Sequence, residues 1–308
     1  MLKYNHYNQK LSDKFGVSLM RFGTRFDTVK YRKNFNFKFL YSSKLSDNYR
    51  FPVGIVDETL NLEGLTVECI SRKSQESKFA LIQLHGGAYV MDFNDTYRKS
   101  AEKYLSLKSN LKVFSPIYSL APKYPYPQAL NETVRVYKYL LSHGYKSKNI
   151  ILAGDSAGGG LAIATTLYLR DNAIPLPRAL ITMSAWTNLA MNGKSHEENK
   201  HVDPLFGEGT QPLNVKAYTR RHNVLDPYIS PRYGDFSKFT DMLMFVGGDE
   251  IIESDTLDIA ELAKENNEVV VHNFLGMFHA FPFGFNKMYS SRKAWKIIKE
   301  YMNEKLRG

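Results

Sequence analysis

A single cysteine, Cys69, stands in 308 residues. It leaves no partner for an internal disulfide, so burial and hydrogen bonding must hold the chain together, as in proteins of a reducing compartment. Long apolar runs are missing too. None reaches the ~20 residues that a bilayer-spanning helix requires. The first segment, MLKYNHYNQKLSDKFGVSLM, has no unbroken apolar stretch of the kind a signal peptide carries. A cytoplasmic protein without membrane insertion is the expectation. There is no internal repeat and no low-complexity tract. Tryptophan is scarce, at two residues, whereas Tyr and Phe number 20 and 19.

The formal net charge is +10, and it is unevenly placed. The first 50 residues hold eleven Lys and Arg against three Asp and Glu, and the other 258 hold thirty against twenty-eight. No nucleic-acid-binding motif accompanies that charge. It reads as basic side chains edging an amphipathic, aromatic segment, with no nucleic-acid partner.

Past that segment the pattern becomes regular. VGIVDETL and GLTVECISRK read as two strands around a turn at Asn61–Gly64. KFALIQLH, LKVFSPIY, KNIILAG, RALITMSAW, DMLMFVGG and NEVVVHNF are compact strand-like runs, and helix-like segments separate most of them. Strands alternating with helices argue for an α/β fold with a mostly parallel, twisted sheet flanked on both faces. Two stretches stand outside the rhythm, residues 1–45 and 187–225. They are expected to form a cap over a core of residues 46–186 and 226–308, at the carboxyl ends of the strands. NFNFKFLY, at 34–41, alternates like a strand. NEVVVHNF is placed near a sheet edge, where pairing between two copies would make a homodimer.

The chemistry begins at ILAGDSAGGGLA, where an apolar run stops at Gly-Asp-Ser-Ala-Gly and turns helix-like. That is the nucleophile-elbow pattern, with a serine on a sharp turn above a sheet. Serine needs an adjacent base, itself oriented by an acid, in the chain order Ser, Asp or Glu, His. Ser156 is followed by Asp249 just past a strand, and thirty residues later by His279 in a loop before the last helix. Glu250, Glu253 and Asp255 compete for the acid's role. Glu253 and Asp255 read as part of the following helix, and position favours Asp249.

Acyl transfer also needs fixed N–H donors for the oxyanion. LHGGAYV lies at a strand end, with His85 seventy-one residues before Ser156. Its Gly86, Gly87 and Ala88, with Ala157 after the nucleophile, are the expected donors. His196, His201 and Asp203 resemble part of a metal site, but no further ligand is evident at suitable spacing, and no metal is expected.

Six segments, HGGAYV, YSLAPKYPYPQAL, GDSAGGGLA, DPYISP, GGDEIIESD and MFHAF, resemble in order the motifs of hormone-sensitive-lipase-like α/β-hydrolase esterases, also called bacterial family IV. The likeness spans roughly residues 78–285. It implies a Ser–Asp–His carboxylesterase of short-chain, acetyl-type esters, without metal or cofactor and with a helical cap. A small-molecule ester is then the expected partner, and Tyr89, Trp186, Phe278 and Phe281 are expected to shape its pocket. The chain departs from the family in having Ala88 for a third glycine, and Ser119 and Lys123 where an Arg and an acid are usual. Amidases and acyltransferases use the same triad, and a ligand-binding relative could keep the pocket alone. The presence of all three triad residues favours the enzyme.

Overall fold

The protein is described by a computed structural model covering residues 1–31, 45–73, 75–207, 215–265, 267–284 and 287–307, the helix at 22–31 by its backbone only. The strand-like segment at 34–41 lies outside the described residues.

Nine strands form one sheet among the described residues: β1 (Leu2–Tyr7), β2 (Ile55–Leu62), β3 (Leu65–Arg72), β4 (Phe79–Leu84), β5 (Leu111–Pro116), β6 (Ile150–Asp155), β7 (Ala179–Met183), β8 (Asp241–Gly247) and β9 (Val269–Phe274). Their order is β1-β9-β8-β7-β6-β4-β5-β3-β2. Only the β2–β3 and β3–β5 pairings are antiparallel, so β3 alone runs against the other strands. The two-residue turn between β2 and β3 suits a hairpin, because Glu63 and Gly64 both have positive φ and Asn61 Oδ1 accepts the Gly64 N–H at 2.9 Å. From β5 to β1 every pairing is parallel. The loops after β4, β6, β7, β8 and β9 therefore all leave the sheet at one end.

Helices cover both faces: α1 (Leu11–Tyr31), α2 (Asp95–Leu107), α3 (Gln128–Ser142), α4 (Ser156–Asp171), α7 (Glu253–Ala263) and α8 (Tyr289–Lys305). Two short helices, α5 (Lys194–Glu198) and α6 (Val215–Thr219), lie between β7 and β8. Alternate strand residues feed opposite cores. Ile82, Leu152, Leu180, Met244 and Val271 pack on one side with residues of α3, α4 and α7. Leu81, Ile151, Ile181 and Phe245 pack on the other with residues of α1, α2 and α8. All residues of β4, β6 and β7 are buried, which explains why these strands read as continuous apolar runs.

The N-terminus corrects two expectations. β1 belongs to the sheet and not to a cap, pairing in parallel with β9 from Leu2↔Val269 to Tyr7↔Phe274. The Met1 ammonium anchors it on the Asn267 carbonyl at 2.6 Å. β9 is thus an interior strand, and the argument for dimer formation through its edge falls away. Helix α1 then docks on α8. Val17 and Met20 enter the core, and Gly16 lies so close that an added Cβ would stand 2.7 Å from Met288 Sδ. Met288, the residue before α8, makes no capping hydrogen bond through its side chain. Asp13 supplies one from α1: its Oδ1 accepts the Ser290 N–H at 2.9 Å, and its Oδ2 accepts the Lys10 N–H at 2.9 Å.

Asp13 is fully buried, so its removal strands two backbone donors. Asp13→Ala is expected to cost about 1–3 kcal/mol of stability, measured by urea unfolding. A change below about 0.5 kcal/mol would show that α1 does not brace the fold.

Candidate active site

The Gly-Asp-Ser-Ala-Gly turn is built by close approach. A Cβ on Gly154 would stand 2.3 Å from the Gly158 carbonyl oxygen, and one on Gly158 would stand 2.2 Å from that of Leu84. Only glycines let β6 reverse into α4 at that spacing. Ser156 occupies the turn with φ of 53°, in the left-handed region where a non-glycine residue is strained. Ala88, Tyr89, Ser184 and Ala280, all at the same end of the sheet, also have positive φ. Strain of this kind is held by surrounding structure and gathers at functional sites.

His279 is buried and is paired with Glu250, not Asp249. Its Nδ1 lies 3.0 Å from Glu250 Oε2, and neither side chain is more than 1% exposed. The other carboxylate oxygen, Oε1, accepts the Ser184 hydroxyl at 2.6 Å and the Gly247 N–H at 2.5 Å. Glu250 has folded back over its own turn, with its N–H donating to the Gly247 carbonyl. Asp249 is directed elsewhere: its Oδ2 meets Arg21 of α1 at 3.3 Å. Burial pushes the Asp249 carboxyl up, and Arg21 only partly offsets that. His279 is thus paired one position away from Asp249, the carboxylate expected beside it. Two adjacent carboxylates after a strand leave that choice open, because the tight turn, not the strand's alternation, decides which one faces the histidine.

Ser184 was not anticipated. Its hydroxyl donates to Glu250 and accepts the Ala280 N–H at 2.9 Å, joining the loop after β8 to the loop after β9. His279 Nε2, by contrast, has no hydrogen-bond partner among the described residues.

The loop after β4 sits against Ser156. A Cβ on Gly86 would stand 3.0 Å from Ser156 Cβ and 2.3 Å from Asp155 Oδ2. The Gly86 N–H is already engaged, donating to Tyr97 Oη at 2.9 Å and to Asp155 Oδ1 at 3.1 Å. Gly86 therefore braces the loop and is not a free donor. No hydrogen bond among the described residues takes up the N–H of Gly87 or Ala88. Ala157 lies in the first turn of α4, where N–H groups lack intrahelical acceptors. Asp155 leaves that turn uncapped, because its side chain serves the loop instead. The His85 ring stacks on Tyr118 at 4.0 Å, and Tyr118 Oη donates to the His85 carbonyl at 2.6 Å. Burial pushes the His85 imidazole down to about 4, so it is neutral at pH 7 and acts as a wall.

The pocket residues divide. The Tyr89 ring stacks on Tyr218 of α6 at 3.8 Å and lies 6.5 Å from that of Trp186, whose backbone N–H donates to the Ser156 carbonyl. These three rings stand together beside the elbow. Phe278 and Phe281 do not join them. Both are fully buried in the core on the α8 side, Phe281 with its ring 4.7 Å from that of Phe274, so they support the fold and not a pocket. Ser119 makes hydrogen bonds to buried Glu132 at 2.7 Å, and exposed Lys123 lies over Tyr124. No group of three metal-ligating side chains occurs among the described residues. His196 lies 3.1 Å from Asp255, and Asp203 accepts three backbone N–H groups.

Comparison with known proteins accords with this geometry. A family model described as alpha/beta hydrolase fold matches residues 81–283. An esterase of Acinetobacter venetianus is 33% identical over 225 residues, 72% of this chain and 73% of that one. An acetyl-hydrolase of Streptomyces hygroscopicus is 29% identical over 238 residues, 77% and 79% of the two chains. A crystal structure of an esterase from the bacterial hormone-sensitive lipase family superposes with a TM-score of 0.83 at 26% identity, covering 97% of this chain and 99% of that one. The chain belongs to the α/β-hydrolase family, in its hormone-sensitive-lipase-like branch. No helix among the described residues is long and apolar enough to cross a membrane.

Burial pushes the Asp203 carboxyl up to about 6 from its ordinary 3.8, although three N–H donors pull it down. The folded protein thus holds a proton there that the unfolded chain has released. Stability from this source is complete below about pH 4 and is lost as the pH rises through about 6. The difference in unfolding free energy between wild type and Asp203→Asn is expected to change with pH across that window and to be flat above about pH 7. A difference independent of pH would show that Asp203 titrates normally.

Proposed function

We propose that the chain is a serine carboxylesterase in which Ser156 is the nucleophile, His279 the general base and Glu250 the orienting acid. The buried Glu250–His279 pair carries this reading. A carboxylate on Nδ1 fixes the ring proton there and turns the lone pair of Nε2 outward. In this reaction Nε2 takes the Ser156 hydroxyl proton as Oγ attacks the ester carbonyl carbon. The negative charge that forms on the carbonyl oxygen is met by the N–H groups of Gly87, Ala88 and Ala157. His279 then returns its proton to the departing alcohol, leaving Ser156 acylated. Water, deprotonated by the same nitrogen, releases the carboxylic acid and restores the serine.

The acyl group proposed is short. The stacked Tyr89 and Tyr218 rings, with Trp186, supply bulk close to the elbow, and Ala88 adds a methyl group to the donor loop. The name acetyl-hydrolase borne by one relative supports the same size class.

Hydrolysis of p-nitrophenyl acetate, butyrate, octanoate and laurate tests the reading. The short esters are expected to turn over best, and Ser156→Ala is expected to lower kcat by about 10⁴-fold or more. Glu250→Gln should lose about 10³-fold to 10⁴-fold, while Asp249→Asn stays within about threefold of wild type. Loss of activity in Asp249→Asn with Glu250→Gln still active would reverse the acid assignment. A folded wild type that cleaves none of the four esters would refute the enzyme proposed.

A further inference from the structure

The loop that carries Glu250 is held from outside its own turn by the insertion between β7 and β8. Three side chains of that insertion, four residues apart in sequence, grip it in turn. The Ser195 hydroxyl donates to the Ile251 carbonyl at 2.7 Å and accepts the Ser254 N–H at 2.9 Å. Asn199 Nδ2 donates to the carbonyls of Gly248 at 3.1 Å and Glu250 at 2.8 Å. Asp203 Oδ2 accepts the Ile251 N–H at 2.8 Å. The four-residue spacing holds because the backbone winds helically, with the Asn199 N–H donating to Ser195 and the Asp203 N–H to Asn199.

Asp203 has a second set of contacts. Its Oδ1 accepts the N–H groups of Leu205 at 2.8 Å and Phe206 at 3.0 Å. The Phe206 ring meets the His279 imidazole nearly edge to face, with centroids 4.7 Å apart and planes at 77°. One buried carboxylate therefore reaches the histidine by two routes. Oδ2 fixes the residue next to Glu250, which holds His279 from the Nδ1 side. Oδ1 fixes the turn that lays Phe206 on the ring, where an apolar neighbour keeps water from the Glu250–His279 hydrogen bond.

We propose that Asp203 is a positioning residue that couples the insertion to the Glu250–His279 pair, so that the cap segment is part of the apparatus orienting the base and not only a cover for substrate. This rests on the esterase reading, and it assigns Asp203 no contact with substrate. Geometric supports of this kind act mainly on kcat, because they set the alignment of reacting groups rather than the affinity for the ester.

Asp203→Asn separates the two routes. The retained Oδ1 still accepts from Leu205 and Phe206, while the new amide N–H group faces the Ile251 N–H and breaks the link to the acid loop. On p-nitrophenyl acetate, Asp203→Asn is expected to lower kcat about 10-fold to 100-fold, with KM within about threefold. Hydrogen exchange is expected to quicken in the amides of residues 248–254. A folded Asp203→Asn protein with kcat within about twofold of wild type and unchanged exchange in that loop would overturn the proposal. Phe206→Ala examines the other route and decides the matter if Asp203→Asn does not fold. A fall in kcat without a matching rise in KM is expected, and an unchanged kcat overturns the proposal. If wild type cleaves no ester, the function reading fails by itself. The exchange measurement then decides the coupling: quickening supports it, and unchanged exchange overturns it.

Discussion

A carboxylate placed out of water is costly unless each oxygen is hydrogen-bonded, and the site depends on how that demand is met for Glu250. Its three contacts come from three loops: the Ser184 hydroxyl after β7, the Gly247 N–H of its own turn, and His279 Nδ1 after β9. Each loop leaves the same end of a parallel sheet, so the sheet's register sets the relative positions of these groups to within hydrogen-bonding distance. Ser184 then passes the constraint on to Ala280. Glu250 and His279 share one network, and neither can shift without leaving a buried polar group unpaired.

Ser156 and the loop after β4 are held by a different device, which is backbone contact. Gly154, Gly158 and Gly86 occupy places where a single added carbon would meet a carbonyl oxygen or the Asp155 carboxylate at 2.3 Å or less. Asp155 binds the loop through the Gly86 N–H and Tyr97 Oη. The second residue of Gly-Asp-Ser-Ala-Gly is thus structural, joining β6 to the loop after β4. Positive φ at Ser156, Ala88 and Tyr89 is held by this packing.

Much of the fold is legible in the sequence because the interior strands β4, β6 and β7 are buried on both faces and read as unbroken apolar runs. The elbow is legible because glycine is obligatory at the close approaches. Motif and chain order single out Ser156 and His279, which lie at the same end of the sheet. The carboxylate beside His279 differs by one residue from the expected Asp249, because Asp249 and Glu250 are chemically equivalent in sequence. Only the reversal at Gly247–Glu250 turns one toward His279 and the other toward Arg21. β1 was missed since its residues are only partly buried or exposed, and such an edge strand carries little pattern. Phe278 and Phe281 flank His279 in the chain, yet their rings point into the core below. Adjacency in sequence says little about direction within a tight loop.

Proton NMR tests, without any substrate, whether Glu250 and not Asp249 holds the His279 imidazole. A hydrogen bond from Nδ1–H to a buried carboxylate gives a strongly downfield proton resonance. That resonance is expected in wild type and in Asp249→Asn, and it is expected to vanish or move sharply upfield in Glu250→Gln. Its loss in Asp249→Asn together with its persistence in Glu250→Gln would contradict the account.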